Sequence, residues 1–272
     1  MSRTVVVTGA SGSMGAAAVR SLASDGWRVI MACRNLAKGE AVRQGILADV
    51  PGADIALMKL DLTSLASVRK FCAALEEERI DALFNNAGII SRGYSITADG
   101  FENTLQTNYI GPYILTRAIA GKMNPGGVIV NMVSLTTRYG KVGRDIFERG
   151  EKQFSQLGTY SDTKLALLLF SIALARRYPT LKVSVADPGI VNSNMISMGR
   201  WFDPLADVLF RPFCRKPEKG VAPALKAISQ AKERASQSVE LFSASGHRPL
   251  AKRYLNHPDI DWLWDETARL SH

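Results

Sequence analysis

Short apolar segments alternate with longer segments of helical periodicity along most of the chain. Runs such as Val5–Val7, Arg28–Cys33 and Val128–Val133 predict buried strands. Between them, stretches such as 64–78 carry apolar residues at helical spacing. Strands that alternate with helices form βαβ units, in which helices cover both faces of a parallel sheet. We therefore predict a doubly wound, Rossmann-type α/β fold with a mostly parallel seven-stranded sheet.

These elements place residues 1–272 in one domain, with two segments that break the alternation. Segment 192–218 has no clear period and is rich in Met, Trp, Phe and Pro, which predicts a lid over a lipophilic substrate. The same residues would also suit packing against the end of the sheet, or contact with a membrane surface, which we do not favour. Segment Lys141–Gln156 is highly charged and is expected to form an inserted surface helix.

Composition excludes several kinds of chemistry. The three histidines lie in the last tenth of the chain and the three cysteines are far apart, so we expect no metal site and no disulfide framework. The formal net charge of +9 comes from scattered basic residues, which indicates a solvated surface and no nucleic-acid partner. The longest apolar stretches, such as Leu165–Ala175, are too short to span a membrane, so we predict a cytoplasmic protein.

A glycine-rich turn joins the first predicted strand to the first helix. Its sequence, TGASGSMG over residues 8–15, permits a tight turn that places a phosphate against the helix N-terminus. Small residues also close ordinary βα turns, so this motif is weak evidence when it stands alone. The turn predicts phosphate contacts from Gly9, Ser11, Ser13, Met14 and Gly15.

Polar and small residues follow the other predicted strands at the edge of the sheet where open α/β sheets bind ligands. Asp61-Leu62 follows the third strand, Asn86-Ala87-Gly88 the fourth, and Ser134 the fifth. The Asp61 carboxylate can accept a hydrogen bond from an adenine amino group, although Asp is also a common turn or cap residue. Tyr160 and Lys164 lie one turn apart on the same face of the following helix.

Together these motifs resemble the classical short-chain dehydrogenases/reductases. The resemblance rests on the glycine turn, on Asn-Asn-Ala-Gly at 85–88, on Tyr-x-x-x-Lys at 160–164 and on Pro188-Gly189, which occur in the family's order. Segments 32–35, 60–63 and 97–102 look like the retinol-dehydrogenase-like and carbonyl-reductase-like branch. The resemblance covers essentially the whole chain.

The resemblance implies a catalytic set of Asn108, Ser134, Tyr160 and Lys164. A carbonyl that receives a hydride needs a proton donor, which Tyr160 would provide. The Lys164 ammonium is expected to lower the pKa of the phenol, and Ser134 to donate a hydrogen bond to the substrate oxygen. By resemblance, Lys164 also holds the nicotinamide ribose and Asn108 anchors a proton-relaying water. Asn108 could instead be a helix residue with only a local bond.

The resemblance also implies a nicotinamide dinucleotide cofactor. An acid at the end of the second strand would bind the adenosine ribose and repel a 2′-phosphate, but Cys33 holds that position and Arg34 follows it. Because arginine suits phosphate binding, we predict NADP(H) rather than NAD(H), with an unpartnered surface arginine as the alternative. The turn at Pro188 and Gly189, the Val191 backbone and the Ser193 hydroxyl are expected to meet the nicotinamide.

Two features depart from the family pattern. Ser13 holds the position of the middle glycine of the turn, where its side chain would crowd the pyrophosphate or hydrogen-bond to it. The spacing between Ser134 and Tyr160 is longer than usual because of the Lys141–Gln156 insertion. A similar insertion in carbonyl reductases is associated with monomers, so both a monomer and a homodimer stay open.

The sequence therefore predicts an NADP-dependent oxidoreductase that transfers a hydride between nicotinamide and a small lipophilic alcohol or carbonyl compound. A non-catalytic dinucleotide sensor and an NAD-dependent dehydrogenase on the same fold are the alternatives. Neither the particular substrate nor the direction of the reaction follows from the residues.

Overall fold

An eight-stranded sheet forms the centre of the computed structural model, which describes residues 3–75, 79–190, 215–231 and 238–271. Its strands are β1 (Thr4–Thr8), β2 (Arg28–Cys33), β3 (Ile55–Lys59), β4 (Ala82–Asn85), β5 (Val128–Met132), β6 (Lys182–Ala186), β7 (Glu240–Ser243) and β8 (Gly246–Pro249). Their order is β3-β2-β1-β4-β5-β6-β7-β8, and every neighbouring pair is parallel except β7 with β8. The predicted doubly wound, mostly parallel fold is confirmed.

Burial on both faces explains why the central strands are continuous apolar runs. All five residues of β1 are buried, and their side chains alternate between two separate hydrophobic cores. Val6 belongs to one core, whereas Val5 and Val7 belong to the other. A strand covered by helices on both faces needs apolar residues at every position.

The helices that cover these faces agree closely with the predicted ones. They are α1 (Ser13–Ser24), α2 (Leu36–Asp49), α3 (Leu65–Ala74), α4 (Asn103–Leu105), α5 (Gly111–Ala120), α6 (Gln156–Arg177), α7 (Pro217–Ser229), α8 (Lys252–Leu255) and α9 (Ile260–Leu270). A π-helical turn, Gln106–Ile110, joins α4 to α5. The sequence also indicates a mostly helical stretch over 98–120, but its helical part begins at Asn103, because the Thr97 N–H donates to the Phe101 carbonyl and closes a turn there.

The eighth strand was not predicted. β8 pairs antiparallel with β7 across a tight turn in which Gly246 has a φ of +114°. Its sequence, GHRP, is short and polar, and three of its four residues are exposed. An edge strand of this kind carries no alternating apolar signal.

The segment Lys141–Gln156 does not form the inserted helix that its charges suggested. It consists of turns with one short 3₁₀ turn, Glu151–Gln153, before α6 begins at Gln156. Ile146 is buried in the core, and Arg149 forms a salt bridge of 2.6 Å with Asp162 of α6. Val142 is buried in the same core, so tertiary contacts rather than helical hydrogen bonds hold the insertion.

The predicted lid lies almost entirely outside the described residues. Of segment 192–218, the structure describes 215–218, which lead into α7.

Candidate active site

The glycine turn brings the backbones of two strand ends together. Gly9 has a φ of +64°, and its N–H donates to the Ala32 carbonyl at 3.0 Å. A methyl group on Gly9 would lie 2.9 Å from the Cα of Ala87. A methyl group on Gly15, in the first turn of α1, would lie 2.3 Å from the Gly9 carbonyl oxygen. Only glycine at both positions lets α1 begin this close to β1.

Substitution of Gly15 by alanine should therefore disrupt the turn. The added methyl group meets backbone rather than a flexible side chain, so we expect a loss of about 1–3 kcal/mol in the free energy of unfolding. Denaturant unfolding measures this loss. Gly45→Ala in α2 is the matched control, because a methyl group there has no neighbour within 4 Å and should stabilise the helix by about 0.5–1 kcal/mol. Equal effects of the two substitutions would contradict the crowding seen at Gly15.

A cleft of about 440 Å³ runs along the carboxyl ends of the strands beside this turn. It is lined by all of the predicted cofactor residues that come before Tyr160 in the chain: Gly9, Ser11, Ser13, Met14, Gly15, Arg34, Asp61, Leu62, Asn86, Ala87 and Gly88. Ser13 is exposed at the start of α1 and lines the same cleft. The residues nominated from four separate turns thus share one surface.

Asn86 provides an independent sign that this cleft receives a polar ligand. Its side-chain amide donates to the Thr8 carbonyl at 2.8 Å, and the Thr8 hydroxyl accepts from the backbones of Asn86 and Ala87. The amide oxygen of Asn86 is buried and has no hydrogen-bond partner. A buried polar atom without a partner is costly, and a ligand hydroxyl in the cleft would satisfy it.

Asp61 has a local role in the structure. Its carboxylate accepts from the backbone and the hydroxyl of Thr63, at 3.0 and 2.7 Å. This is the turn geometry that the sequence left open as the alternative. Asp61 nevertheless lines the cleft, so the predicted adenine contact stays a prediction.

Basic side chains gather where the cleft passes the end of β2. Arg34 and Lys38 both line the cleft and both are exposed. The ammonium of Lys59 donates to the Arg34 carbonyl at 2.5 Å and so fixes the backbone at that point. Cys33 is fully buried beside them, and burial raises the pKa of its thiol. The sequence analysis missed Lys38, although its position one helical turn after Arg34 was visible.

Ser134 and Tyr160 are hydrogen-bonded to each other. Ser134 caps the short 3₁₀ helix Leu135–Tyr139, where its hydroxyl accepts from the Thr136 N–H at 3.2 Å. The Tyr160 phenol is only 8% exposed, and burial raises its pKa to about 12 despite a hydrogen bond from Ser134. The sequence argument expected the Lys164 ammonium to lower this pKa. In the structure, burial instead raises this pKa, and the negative charge of Asp187 acts in the same direction.

Lys164 is more deeply buried than its neighbour. Its ammonium is 5.6 Å from the centre of the Tyr160 ring and donates to the Met132 carbonyl at 2.9 Å. Burial lowers its pKa from 10.5 to about 8. A buried lysine outside any ion pair is expensive, which is typical of a residue held for chemistry rather than for stability.

Asn108 lies in the π-helical turn, one face of which points at Lys164. Its amide oxygen accepts from the Ile89 N–H at 2.8 Å, and its amide nitrogen donates to the Ile89 carbonyl and to the Thr163 hydroxyl. A methyl group on Gly88 would lie 3.2 Å from the Lys164 nitrogen and 3.5 Å from the Asn108 oxygen. Gly88, which lines the cleft, thus connects the cofactor residues to Lys164 and Asn108.

The buried Lys164 charge should appear in the pH dependence of stability. Between about pH 8 and 10.5 the unfolded state still binds the lysine proton while the folded state has released it, so the wild type gains stability as pH rises. Relative to Lys164→Met, this gain should reach about 2–3 kcal/mol across that window. Chemical denaturation at several pH values tests it. If the stabilities of the wild type and Lys164→Met changed in parallel with pH, the lowered pKa of Lys164 would be refuted. It would also be refuted if the exposed Lys152→Met differed from the wild type in the same way.

The Pro188-Gly189 turn follows β6 beside Ser134. Gly189 has a φ of +71°, and its N–H donates to the Asp187 carboxylate at 2.9 Å. Asp187 was not selected from the sequence, because a lone acid before Pro-Gly carries no pattern. Val191 and Ser193, which were predicted to contact the nicotinamide, lie outside the described residues.

Comparison with known proteins assigns this chain to a family. A family model described as short chain dehydrogenase matches residues 3–200. The chain therefore belongs to the short-chain dehydrogenases, a family of oxidoreductases, and the resemblance found in the sequence is confirmed.

Relatives within the family are retinol dehydrogenases. The chain is 32% identical to retinol dehydrogenase 12 of Bos taurus over 98% of this chain and 86% of that protein. It is 33% identical to retinol dehydrogenase 12 of Homo sapiens over 96% of this chain and 79% of that protein.

Solved structures share the same fold. An uncharacterized protein from Mycobacterium paratuberculosis has a TM-score of 0.79 and 29% identity, over 99% of this chain and 93% of that one. A short-chain dehydrogenase from Sphingobium yanoikuyae, solved in complex with NADPH, has a TM-score of 0.67 and 22% identity, over 98% and 93% of the two chains.

The predicted cytoplasmic location is wrong. It rested on the absence of an apolar segment long enough to cross a membrane, yet α6 has 22 residues and a mean hydropathy of 1.2, enough by length and composition. In the structure, 78% of its most apolar stretch is buried within the protein. Similarity to retinol dehydrogenases 11 to 14 gives the cytoplasmic prediction no support either.

Proposed function

We propose that this chain is an NADP(H)-dependent oxidoreductase that interconverts a lipophilic alcohol and the corresponding aldehyde or ketone, with Tyr160 as the proton donor and acceptor. The observation that carries the proposal is the cluster of Ser134, Tyr160 and Lys164, in which Lys164 adjoins Gly88, one of the predicted cofactor residues that line the cleft. Tyr160 and Lys164 lie in the long helix α6, and Ser134 caps the 3₁₀ helix that follows β5, so their spacing is preorganised.

The proton chemistry follows from the positions of the side chains. A buried phenol whose pKa is about 12 stays protonated at neutral pH, so Tyr160 is ready to donate a proton to a carbonyl oxygen. Ser134, which shares a hydrogen bond with the phenol, would donate to the same substrate oxygen. For alcohol oxidation Tyr160 must first lose its proton, and the Lys164 ammonium would stabilise the phenolate.

Asn108 would support the return of the proton. Both polar atoms of its side chain are held by the Ile89 backbone, and a hydrogen bond to Thr163 attaches it to the helix of Tyr160 and Lys164. This arrangement fixes the π-helical turn against the lysine. π-helical turns within longer helices frequently occur at functional sites.

The cleft suits a phosphorylated dinucleotide. The glycine turn at the start of α1 would hold the pyrophosphate, the orphan oxygen of Asn86 would meet a ribose hydroxyl, and Arg34 with Lys38 would pair with a 2′-phosphate. When bound, the nicotinamide supplies or accepts the hydride. The NADPH complex of the Sphingobium yanoikuyae enzyme is consistent with this choice.

A lipophilic substrate is favoured by the surface around the reacting groups. Leu135, Tyr139, Leu157 and Ile190 are large apolar residues that are exposed, at 45–65% of their surface. Leu135 follows Ser134, Leu157 precedes Tyr160 by one helical turn, and Ile190 follows the Pro-Gly turn. The retinol dehydrogenase names of the relatives point to the same class of substrate.

A panel assay tests the proposal. Purified protein would be mixed with NADPH or NADH and a series of carbonyl compounds, comprising retinal, steroid ketones, fatty aldehydes and small polar ketones, and cofactor oxidation would be followed. We expect turnover of apolar carbonyls with NADPH and little with polar ones. Tight NADPH binding without turnover of any class would instead indicate a dinucleotide sensor, and equal rates with NADH would refute the cofactor assignment.

A further inference from the structure

Asp187 is a buried carboxylate at the reacting end of the cleft. It follows β6 directly, its side chain is only 7% exposed, and its backbone N–H donates to the Phe242 carbonyl of β7 at 2.8 Å. The residue is therefore fixed to the sheet on one side. Buried carboxylates require partners, and those of Asp187 identify its role.

The carboxylate joins two turns of the candidate site. One oxygen accepts from the Gly189 N–H at 2.9 Å, and a second hydrogen bond comes from the backbone N–H of Leu135. Leu135 is the residue after Ser134, whereas Gly189 belongs to the turn expected to meet the nicotinamide. A carboxylate has two acceptor oxygens and can hold both N–H groups at once.

Charged groups on three elements face this carboxylate. Burial raises the pKa of Asp187, and Arg215, just before α7, and Arg138, in the 3₁₀ helix after Ser134, partly oppose this shift because they favour the ionised form. From α6 it faces the Tyr160 phenol, and its negative charge raises the pKa of that phenol. The Lys164 ammonium, on the same helix, lies 5.6 Å from the centre of the Tyr160 ring.

We propose that Asp187 is a positioning residue for the reaction, which holds the Ser134 turn against the Pro188-Gly189 turn and places its negative charge towards the Tyr160 phenol. This inference rests on the proposed function, since it assigns Asp187 to the same proton transfer. It predicts a site biased towards a protonated tyrosine, the form that carbonyl reduction requires.

The test is the pH dependence of alcohol oxidation, which requires the tyrosine to lose its proton. In Asp187→Asn the charge is removed and one N–H group faces an amide nitrogen. We therefore expect the plateau of kcat to fall about tenfold and the midpoint of its pH profile to move about one unit lower. Asp187→Ser removes the same charge but keeps one hydroxyl acceptor for Gly189, so its midpoint should move equally even if Asp187→Asn is unstable.

Asp162→Asn is the control. Asp162 is a largely buried carboxylate two residues from Tyr160, but its partners are Arg149 and the Lys141 backbone rather than the phenol. Its pH midpoint should stay unchanged. A lower plateau with an unmoved midpoint in both Asp187 variants would overturn the proposal, because it would leave Asp187 with a structural role only. Full turnover in Tyr160→Phe would instead overturn the proposed function itself.

Discussion

Replacement of Tyr160 by phenylalanine is expected to reduce turnover by about 100-fold or more, which is the scale of a general acid–base contribution. The substitution removes one hydroxyl group and leaves the buried ring in place, so the fold should be retained. Ser134 is hydrogen-bonded to this phenol. In the phenylalanine variant, Ser134 would act on the substrate oxygen without the phenol beside it. No other phenol is described beside Ser134 and Lys164 that could replace it.

The measurement compares kcat, the NADPH dissociation constant and the thermal midpoint of Tyr160→Phe with those of the wild type. Turnover alone should fall, because the phenol is expected to act on the proton and not to hold the adenosine half of the cofactor. Tyr139→Phe is the matched control, since Tyr139 is 65% exposed at the same end of the cleft and has no place in the proton transfer. Near-normal turnover in Tyr160→Phe would exclude the mechanism.

The buried strands and the glycine turn could be predicted from the sequence. The buried runs at Val5–Val7 and Val128–Val133 lie in β1 and around β5, because a strand covered on both faces must be apolar throughout. The glycine turn also formed as expected, since the contacts at Gly9 and Gly15 tolerate no side chain. Such positions have a steric requirement that shows directly in residue type.

Features that depend on tertiary contacts could not be predicted. The charges of Lys141–Gln156 suggested a surface helix, but buried Ile146 and the Arg149–Asp162 ion pair hold this segment as turns. β8 was missed because its hydrogen bonds to β7 alone define it as a strand.

The pKa of Tyr160 also depends on tertiary structure and could not be predicted from the sequence. The sequence places Lys164 one turn from Tyr160 and so suggests a lowered pKa for the phenol, but only the structure shows how deeply both are buried. Desolvation reverses the direction of the shift, to about 12. Asp187 could not be selected at all, because its contact with Leu135, far earlier in the chain, forms only in the folded structure.

The choice between NADP and NAD should depend on Arg34. Its guanidinium lines the cleft at the end of β2, where Lys38 lies one helical turn further along. Arg34→Ala removes a charge-assisted contact with the 2′-phosphate worth about 1.5–3 kcal/mol, so NADP should bind about tenfold to hundredfold more weakly while NAD is little affected. Lys38→Ala should cause a smaller loss of the same selectivity, since an ammonium offers no bidentate contact.

The reverse switch requires an acid at Cys33. Cys33→Asp combined with Arg34→Ile should prefer NAD, because the carboxylate would accept ribose hydroxyls and repel a 2′-phosphate. Cys33 is fully buried, so this variant should also lose stability unless the cofactor is bound. Both dissociation constants are measured in each protein, with Arg20→Ala as the control, since Arg20 forms an ion pair with Asp49. Equal affinity of the wild type for NAD and NADP, or equal weakening of both by Arg34→Ala, would refute the assignment. The pyrophosphate that Ser13 and Gly12 face is common to both cofactors, so the ratio of the two constants isolates the contribution of Arg34.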